Sequence, residues 1–138
     1  MLDYLVVVAH PDDEVLYAGG LLAKAVQQGF LCGVLVLTDG RSGRTLGLVH
    51  QDELAKEREK ESRASAKILG IHKYCILQFQ DYDDQLNNYE GLKGIPEYLL
   101  KQEVQKYINL WSPKVLLTFP PNGINGHPDH VVTSHISR

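Results

Sequence analysis

Two clusters of imidazole and carboxylate side chains stand near opposite ends of this 138-residue sequence. The first reads AHPDDE over residues 9–14, and the second reads HPDH over residues 127–130. The first follows a short apolar run typical of a buried strand, the second follows the loop after another such run, and each precedes a helical pattern. Ionisable groups at such corners are costly to bury unless they have partners. The two clusters are therefore the candidates for chemistry.

The spacing within these clusters favours a metal site. His10 and Asp13 are three residues apart at a strand-to-helix corner, where both side chains can point the same way, and His130 offers a second imidazole. Two ring nitrogens, one carboxylate and an open position are typical of catalytic zinc, which activates water. With these ligands, Asp12 would stand free beside that water as a general base.

The other imidazole of the HPDH cluster, that of His127, has a different predicted role. His127, braced by the carboxylate of Asp129, would polarise or protonate the reacting group. Simpler interpretations stay open, because a histidine at a strand end is most often a satisfied polar residue. The carboxylates of residues 12–14 and of Asp129 could likewise serve only a helix dipole. Two His/Asp clusters in one short chain favour the site.

The apolar patterning predicts buried strands that alternate with helices. We expect strands over residues 4–9, 30–37, 74–79 and 114–119, and helices over residues 15–28, 51–69, 96–111 and from 127 onward. Apolar strands joined by helices imply an α/β fold, a three-layer, Rossmann-like arrangement around a parallel sheet.

The loops after the strands should meet at one edge of that sheet, where ligands bind in such folds. They cover residues 38–49, 80–95 and 120–126, and the first of them carries Arg41 and Arg44. Both clusters and these loops would then form one site.

The predicted helix over residues 51–69 carries charge on its inner face. The i+3/i+4 rule places Leu54, Arg58, Glu61, Ser65 and Ile68 on the buried stripe. Arg58 and Glu61 either snorkel at the edge of the helix or serve a site, and the pattern alone leaves both interpretations open.

Composition limits the partners. A net charge of −3 gives no reason to expect nucleic acid or an anionic membrane. Cys32 and Cys75 lie in apolar runs without CxxC spacing, which favours a reducing compartment. With no basic leader and no apolar stretch of membrane-spanning length, we expect a cytoplasmic protein without a membrane partner. The sequence leaves open whether it forms a homo-oligomer.

Both clusters resemble the signature of the LmbE-like / PIG-L family of zinc-dependent N-acetylglucosamine deacetylases. The family's A-H-P-D-D-E and H-P-D-H blocks stand intact at residues 9–14 and 127–130. The REKE run at residues 58–61, followed by ILG at 68–70, is similar to the family's R-x-x-E…LG segment. Asp81 matches a family aspartate that follows the third strand. We expect residues 1–138 to form a single LmbE-like domain that lacks the usual C-terminal portion.

The resemblance implies a zinc ion bound by His10, Asp13 and His130, with Asp12 as general base. His127, supported by Asp129, would stabilise the oxyanion of the tetrahedral intermediate.

The same resemblance implies that Arg58 and Asp81 contact the sugar or its aglycone. The reaction would release acetate and a free amine from an N-acetylglucosaminyl compound. Arg41 and Arg44 would suit an anionic aglycone, as in an N-acetylglucosaminyl-malate deacetylase of the bacillithiol type. The alternatives are a metal-dependent phosphoesterase, which would need two metals, and a non-catalytic sugar-binding domain.

Overall fold

A parallel sheet forms the centre of the computed structural model, which describes residues 1–83 and 89–138. In these residues the sheet has the order β3-β2-β1-β4, and every pair of neighbours is parallel. Its strands are β1 (Leu2–Val8), β2 (Cys32–Thr38), β3 (Lys73–Phe79) and β4 (Pro113–Leu117). The predicted strands are confirmed, with ends displaced by one or two residues.

Helices cover both faces of this sheet. They are α1 (Asp13–Gln27), α2 (Leu54–Leu69), α3 (Glu97–Trp111) and α4 (Pro128–Ile136), with short 3₁₀ turns at Gln51–Glu53 and Gly91–Gly94. Part of the predicted loop over residues 80–95, namely residues 84–88, lies outside the described residues. The three-layer α/β fold expected from the sequence is the observed one.

Alternate residues of the central strands pack against opposite layers. On one face, Leu5 and Leu35 join a buried cluster with Leu100 of α3. On the other face, Val6 and Val34 pack in a second cluster that includes Leu22 of α1. Each fully buried Leu or Val contributes about 1.5–3 kcal/mol of transfer free energy. The strands are apolar throughout because both of their faces are buried.

The predicted buried stripe of α2 is wrong in part. The buried residues of α2 are Leu54, Ser62 and Ala66, whereas Ile68 is 86% exposed and Glu61 is also exposed. The helix turns its small residues inward because α1 and β3 pack closely against it. Arg58 lies between Leu54 and Ser62 on this i+4 row, so its inward direction is kept.

The state of the cysteines and the length of the helices bear on two further expectations from the sequence. Cys32 and Cys75 are free cysteines, the first buried and the second half-buried. Among the described residues, no helix has both the length and the apolar character needed to cross a membrane.

Candidate active site

The pairing of β1 with β4 brings the two clusters together. These strands are neighbours in register, with Val6 opposite Leu117, so the chain leaves both of them at the same edge. The His10 ring consequently lies 4.7 Å from that of His127 and 5.1 Å from that of His130, measured between centroids. Residues more than 110 positions apart in the sequence thus share one site, as predicted.

Three candidate ligand atoms form a nearly equilateral triangle. Nδ1 of His10 lies 3.2 Å from Oδ2 of Asp13 and 3.2 Å from Nε2 of His130. The third side, from Nε2 of His130 to Oδ2 of Asp13, measures 3.3 Å. All three residues are buried, with relative exposures of 9% or less.

The outer partners of both rings assign their tautomers. Nε2 of His10 donates to the Asp129 carboxylate at 3.0 Å, and Nδ1 of His130 donates to the carbonyl of Gly123 at 3.1 Å. The inward nitrogens of both neutral rings therefore carry lone pairs, and these lone pairs face the Asp13 carboxylate. Such a group of acceptors is stable only around a cation.

A tetrahedral metal fits this triangle. With metal–ligand bonds of about 2.0–2.1 Å, neighbouring ligands of tetrahedral zinc lie roughly 3.3–3.4 Å apart. The observed sides of 3.2–3.3 Å match that spacing. The donor set of two imidazoles and one carboxylate suits a first-row divalent ion.

Without a metal, a proton takes the place of the cation. Burial lowers the pKa of His10, but its hydrogen bonds to Asp129 and Asp13 outweigh burial and raise that pKa to about 9. Burial raises the pKa of Asp13, yet the hydrogen bonds from His10 and His130 hold it well below its usual value. A metal must therefore displace this proton to bind.

Asp129 braces His10 and not His127, which corrects the expectation from the sequence. Its fully buried carboxylate accepts the His10 ring N–H and two backbone N–H groups, from Tyr82 and Leu92, each at 2.8 Å. A side chain on Gly91, whose φ is +62°, would collide with this carboxylate. A carboxylate behind a metal-ligating imidazole orients the ring and raises its basicity.

The contact between His127 and Asp129 runs instead through the backbone. Nδ1 of His127 accepts the backbone N–H of Asp129 at 3.2 Å, which caps α4. Burial, and then the charge on His10, lower the pKa of His127, so the ring stays neutral. Its proton consequently sits on Nε2, where it is a hydrogen-bond donor.

His127 also lies near enough to the other rings to be considered as a ligand. One nitrogen from each of His10, His127 and His130 lies within 4.8 Å of the others. The Asp13 triangle is tighter, and a protonated Nε2 cannot coordinate a metal. The geometry therefore favours Asp13 as the third ligand and leaves His127 as a donor.

Asp12 projects from a strained turn beside this triangle. Its φ is 110°, outside the range that non-glycine residues normally adopt, and its side chain is 60% exposed. Partial burial raises the pKa of Asp12, although the charge on Arg58 opposes the change. The carboxylate is thus open to water and is a better proton acceptor than an ordinary aspartate.

Arg58 ties this turn to α2. It donates to the carbonyl of Pro11 at 2.6 Å, to the Asp12 carboxylate at 3.2 Å and to the carbonyl of Gly40 at 3.1 Å. The guanidinium lines the cavity described below, but its bonds to the turn give it a positioning role that the sequence did not reveal.

Asp81 joins two loops at the cavity. Its Oδ1 accepts the backbone N–H of Ser42, and the Ser42 hydroxyl donates to the Asp81 carbonyl, both at 3.0 Å. Burial raises the pKa of Asp81 above its usual value. The side chain is buried but lines the cavity.

The two arginines of the loop after β2 differ. Arg41 is bound to Asp39 through its Nε, 3.0 Å from either carboxylate oxygen, and through its Nη2. Arg44 lines the cavity, and within the described residues it has no hydrogen bond or ion pair. Only Arg44 is therefore available to a ligand.

The cavity measures about 850 Å³, a volume typical of small-molecule sites. Its floor carries His10, Asp12 and His127, and its walls carry polar side chains from the loops after β2 and β3. Tyr82 also lines it, with its ring edge-on to His127 at 6.0 Å. Tyr82 was not predicted from the sequence, although its position directly after Asp81 was a usable signal.

Comparison with known proteins identifies the family of the chain. The family model described as PIG-L, GlcNAc-PI de-N-acetylase, matches residues 5–138. The chain belongs to this family. The triangle of ligand atoms is thus built from the two blocks that carried the resemblance to it.

Individual members of the family are named deacetylases. The chain is 35% identical to the diacetylchitobiose deacetylase of Thermococcus kodakarensis, over 91% of this chain and 44% of the relative. It is 30% identical to a probable N-acetyl-alpha-D-glucosaminyl L-malate deacetylase 2 of Bacillus anthracis, over 94% and 54%.

Solved structures of named deacetylases are also similar to this chain. The fold superposes on the N,N'-diacetylchitobiose deacetylase of Pyrococcus horikoshii with a TM-score of 0.80 and 26% identity. That alignment covers 98% of this chain and 48% of the other. The chain therefore spans about half the length of the relatives it matches.

Proposed function

We propose that the protein is a zinc-dependent N-deacetylase that hydrolyses the acetamide of an N-acetylglucosaminyl compound. One observation carries the proposal: three inward lone pairs, from His10, Asp13 and His130, meet at tetrahedral spacing beside an accessible carboxylate. A binding site alone does not need an accessible carboxylate of raised pKa such as Asp12. The named activities of the relatives support the same reaction class.

The three ligands would hold zinc at the floor of the cavity. When bound there, zinc would supply Lewis acidity and lower the pKa of a water molecule. His10 of the triangle lines the cavity together with Asp12 and His127, so a bound zinc would lie close to both of these side chains. Asp129 keeps the His10 ring oriented, with its lone pair directed at the metal position.

The protein's own groups then move the protons. Asp12 takes one proton as water attacks the acetamide carbon, and Nε2–H of His127 donates to the oxygen on which negative charge develops. As the C–N bond breaks, Asp12 returns that proton to the departing nitrogen. Acetic acid and a free amine result, and the acid then loses the second water proton to solvent and leaves as acetate.

The substrate proposal is finer. We propose that Asp81 and Arg58 face the sugar and that Arg44 receives an anionic group on the aglycone, such as malate. Arg41 is excluded from this role because Asp39 already neutralises it. A neutral disaccharide would not use Arg44, so the two kinds of substrate are separable by experiment.

Acetate release tests the proposal. The zinc-loaded protein is assayed with N-acetylglucosamine, N,N′-diacetylchitobiose and N-acetylglucosaminyl-malate, beside Asp12→Ala as a matched control. We expect one zinc per chain, acetate from at least one substrate and a loss of about 10³-fold or more in the variant. No acetate from any of them would refute the deacetylase.

The same samples test the alternatives. Sugar binding by calorimetry without any turnover would indicate a binding domain. Two metals per chain with hydrolysis of a phosphoester would indicate a phosphoesterase. The described residues hold one cluster able to bind a metal, which favours a single ion.

A further inference from the structure

Glu14 is a buried carboxylate that the mechanism above does not use. It is 1% exposed, belongs to the first turn of α1 and does not line the cavity. Burial raises the pKa of Glu14 above its usual value. A carboxylate in such a place costs more than an apolar side chain of the same size unless hydrogen bonds compensate.

One of those hydrogen bonds holds the backbone of Asp12. Oε2 of Glu14 accepts the Asp12 N–H at 3.0 Å. On its other side, the carbonyl of Asp12 accepts the N–H groups of Val15 and Leu16, each at 3.0 Å, which begin α1. Both peptide groups that flank the Asp12 Cα are thus anchored.

Anchoring both peptides fixes the direction of the side chain. The angle φ relates the N–H of a residue to its Cβ, and at Asp12 it is 110°. A non-glycine residue in such a conformation costs on the order of 1–3 kcal/mol and persists only where its surroundings enforce it. If the N–H were free, φ could relax, and the carboxylate would swing away from its position beside the ligand triangle.

Glu14 is itself held by another element. Its Oε1 accepts the hydroxyl of Tyr74, on β3, at 3.4 Å. This hydrogen bond joins α1 to β3, and α2 packs against both of them.

We propose that Glu14 is a positioning residue for Asp12: its carboxylate holds the Asp12 N–H and so aims the general base. Arg58 is the second support, since it donates to the Pro11 carbonyl and to the Asp12 carboxylate. The inference rests on the proposed function for its catalytic consequence, but the hydrogen bond exists independently of the reaction.

Three variants separate positioning from packing. Glu14→Leu keeps the size and removes the acceptor, whereas Glu14→Gln keeps an oxygen for the Asp12 N–H. Tyr74→Phe removes the distant hydroxyl and leaves the bond to Asp12 in place. Each is compared with the wild-type, zinc-loaded protein for amide exchange, bound zinc, kcat and KM.

We expect Glu14→Leu to exchange the Asp12 amide about 10-fold or more faster, while the Val15 amide is unchanged. Its kcat should fall by about 10- to 100-fold, with KM within about 3-fold and full zinc content. Glu14→Gln and Tyr74→Phe should stay within about 3-fold of wild type in all of these measurements.

Other results overturn the inference. The first is a Glu14→Leu variant whose Asp12 amide exchange rate and kcat are unchanged. The second is a loss of kcat in Glu14→Gln equal to that in Glu14→Leu. The third is a Glu14→Leu variant that loses both its zinc and the protection of the Val15 amide from exchange. If the wild type releases no acetate, the proposed function fails, and the exchange data alone decide the role of Glu14. If Glu14→Leu does not fold, a through-hydrogen-bond coupling between Asp12 N and Glu14 Cδ in the wild type decides it.

Discussion

The two aspartates beside the histidines, Asp12 and Asp129, occupy opposite kinds of surroundings. The Asp12 side chain is 60% exposed on a strained turn, whereas that of Asp129 is fully buried and accepts three hydrogen bonds. A group that exchanges protons with substrate must reach the cavity, and a group that orients a ligand must be immobile. The difference is consistent with the proposed role of Asp12 in proton transfer, and it suits Asp129 to the support of His10.

The pKa values of these two carboxyl groups are shifted in opposite directions. Burial raises the pKa of Asp12, and Arg58 only partly opposes it. Burial also acts to raise the pKa of Asp129, but the hydrogen bonds from His10, Tyr82 and Leu92 outweigh it and lower that pKa. Enzymes separate acid–base roles by pushing the pKa values of neighbouring groups apart. Asp12 is therefore the better proton acceptor.

The largest effect should come from the exposed member of the pair. Asp12→Asn removes the base at nearly constant volume, so we expect kcat for acetate release to fall by about 10³- to 10⁴-fold. Bound zinc and the unfolding midpoint should match the wild type, as should all properties of Asp52→Asn, an exposed control. Loss of zinc in Asp12→Asn would instead indicate that Asp12 is a zinc ligand, and the proposed difference in role between Asp12 and Asp129 would be wrong.

The buried member should act on the metal and on the fold. Asp129→Asn weakens the support of His10 and leaves a backbone N–H poorly paired. We expect zinc affinity to fall by about 10- to 100-fold, and the free energy of unfolding by about 2–3 kcal/mol. Chelator competition and urea denaturation measure these changes. An unaltered zinc affinity would contradict the bracing of His10 by Asp129.

The pH dependence of the metal-free protein sharpens the same point. A folded-state pKa of about 9 for His10, against 6.5 ordinarily, stabilises the fold fully below pH 6.5. This stabilisation is lost as the pH rises through 9. At about 1.4 kcal/mol per pH unit, the loss approaches about 3 kcal/mol. Urea denaturation of chelator-treated protein at pH 6.5 and 9.5 measures it, and Asp129→Asn should reduce the difference.

The smallest effect should distinguish the two loop arginines. Arg44→Gln should raise KM for an anionic substrate such as N-acetylglucosaminyl-malate by about 3- to 10-fold, with little change for diacetylchitobiose. Arg41→Gln should leave both KM values unchanged and cost at most about 1 kcal/mol of stability, because its ion pair with Asp39 is half-exposed. Equal effects of the two substitutions on KM would show that neither arginine is specific for the anion.

Much of the fold followed from local patterning. Strands buried on both faces have an uninterrupted apolar run, and the four predicted strands are present within one or two residues at most ends. The buried face of α2 was predicted only in part, because the choice between i+3 and i+4 positions depends on what packs against the helix. Small side chains, Ser62 and Ala66, face inward there, and the apolar Ile68 does not.

The sequence by itself determined which residue types meet. Two His/Asp blocks after strands of a parallel sheet are expected at one sheet edge, so the sequence predicted His10, Asp13 and His130 as a group. That β1 and β4 are neighbours was decided by the tertiary structure. It did not determine which carboxylate supports which ring. Asp129 is two residues from His127 but binds His10, 119 positions away, because the loops of Tyr82 and Leu92 hold its carboxylate there. Likewise, only the packing of α1 against β3 and α2 holds Glu14 where it accepts the Asp12 N–H. A local motif does not specify which distant residues will contact it in the folded chain.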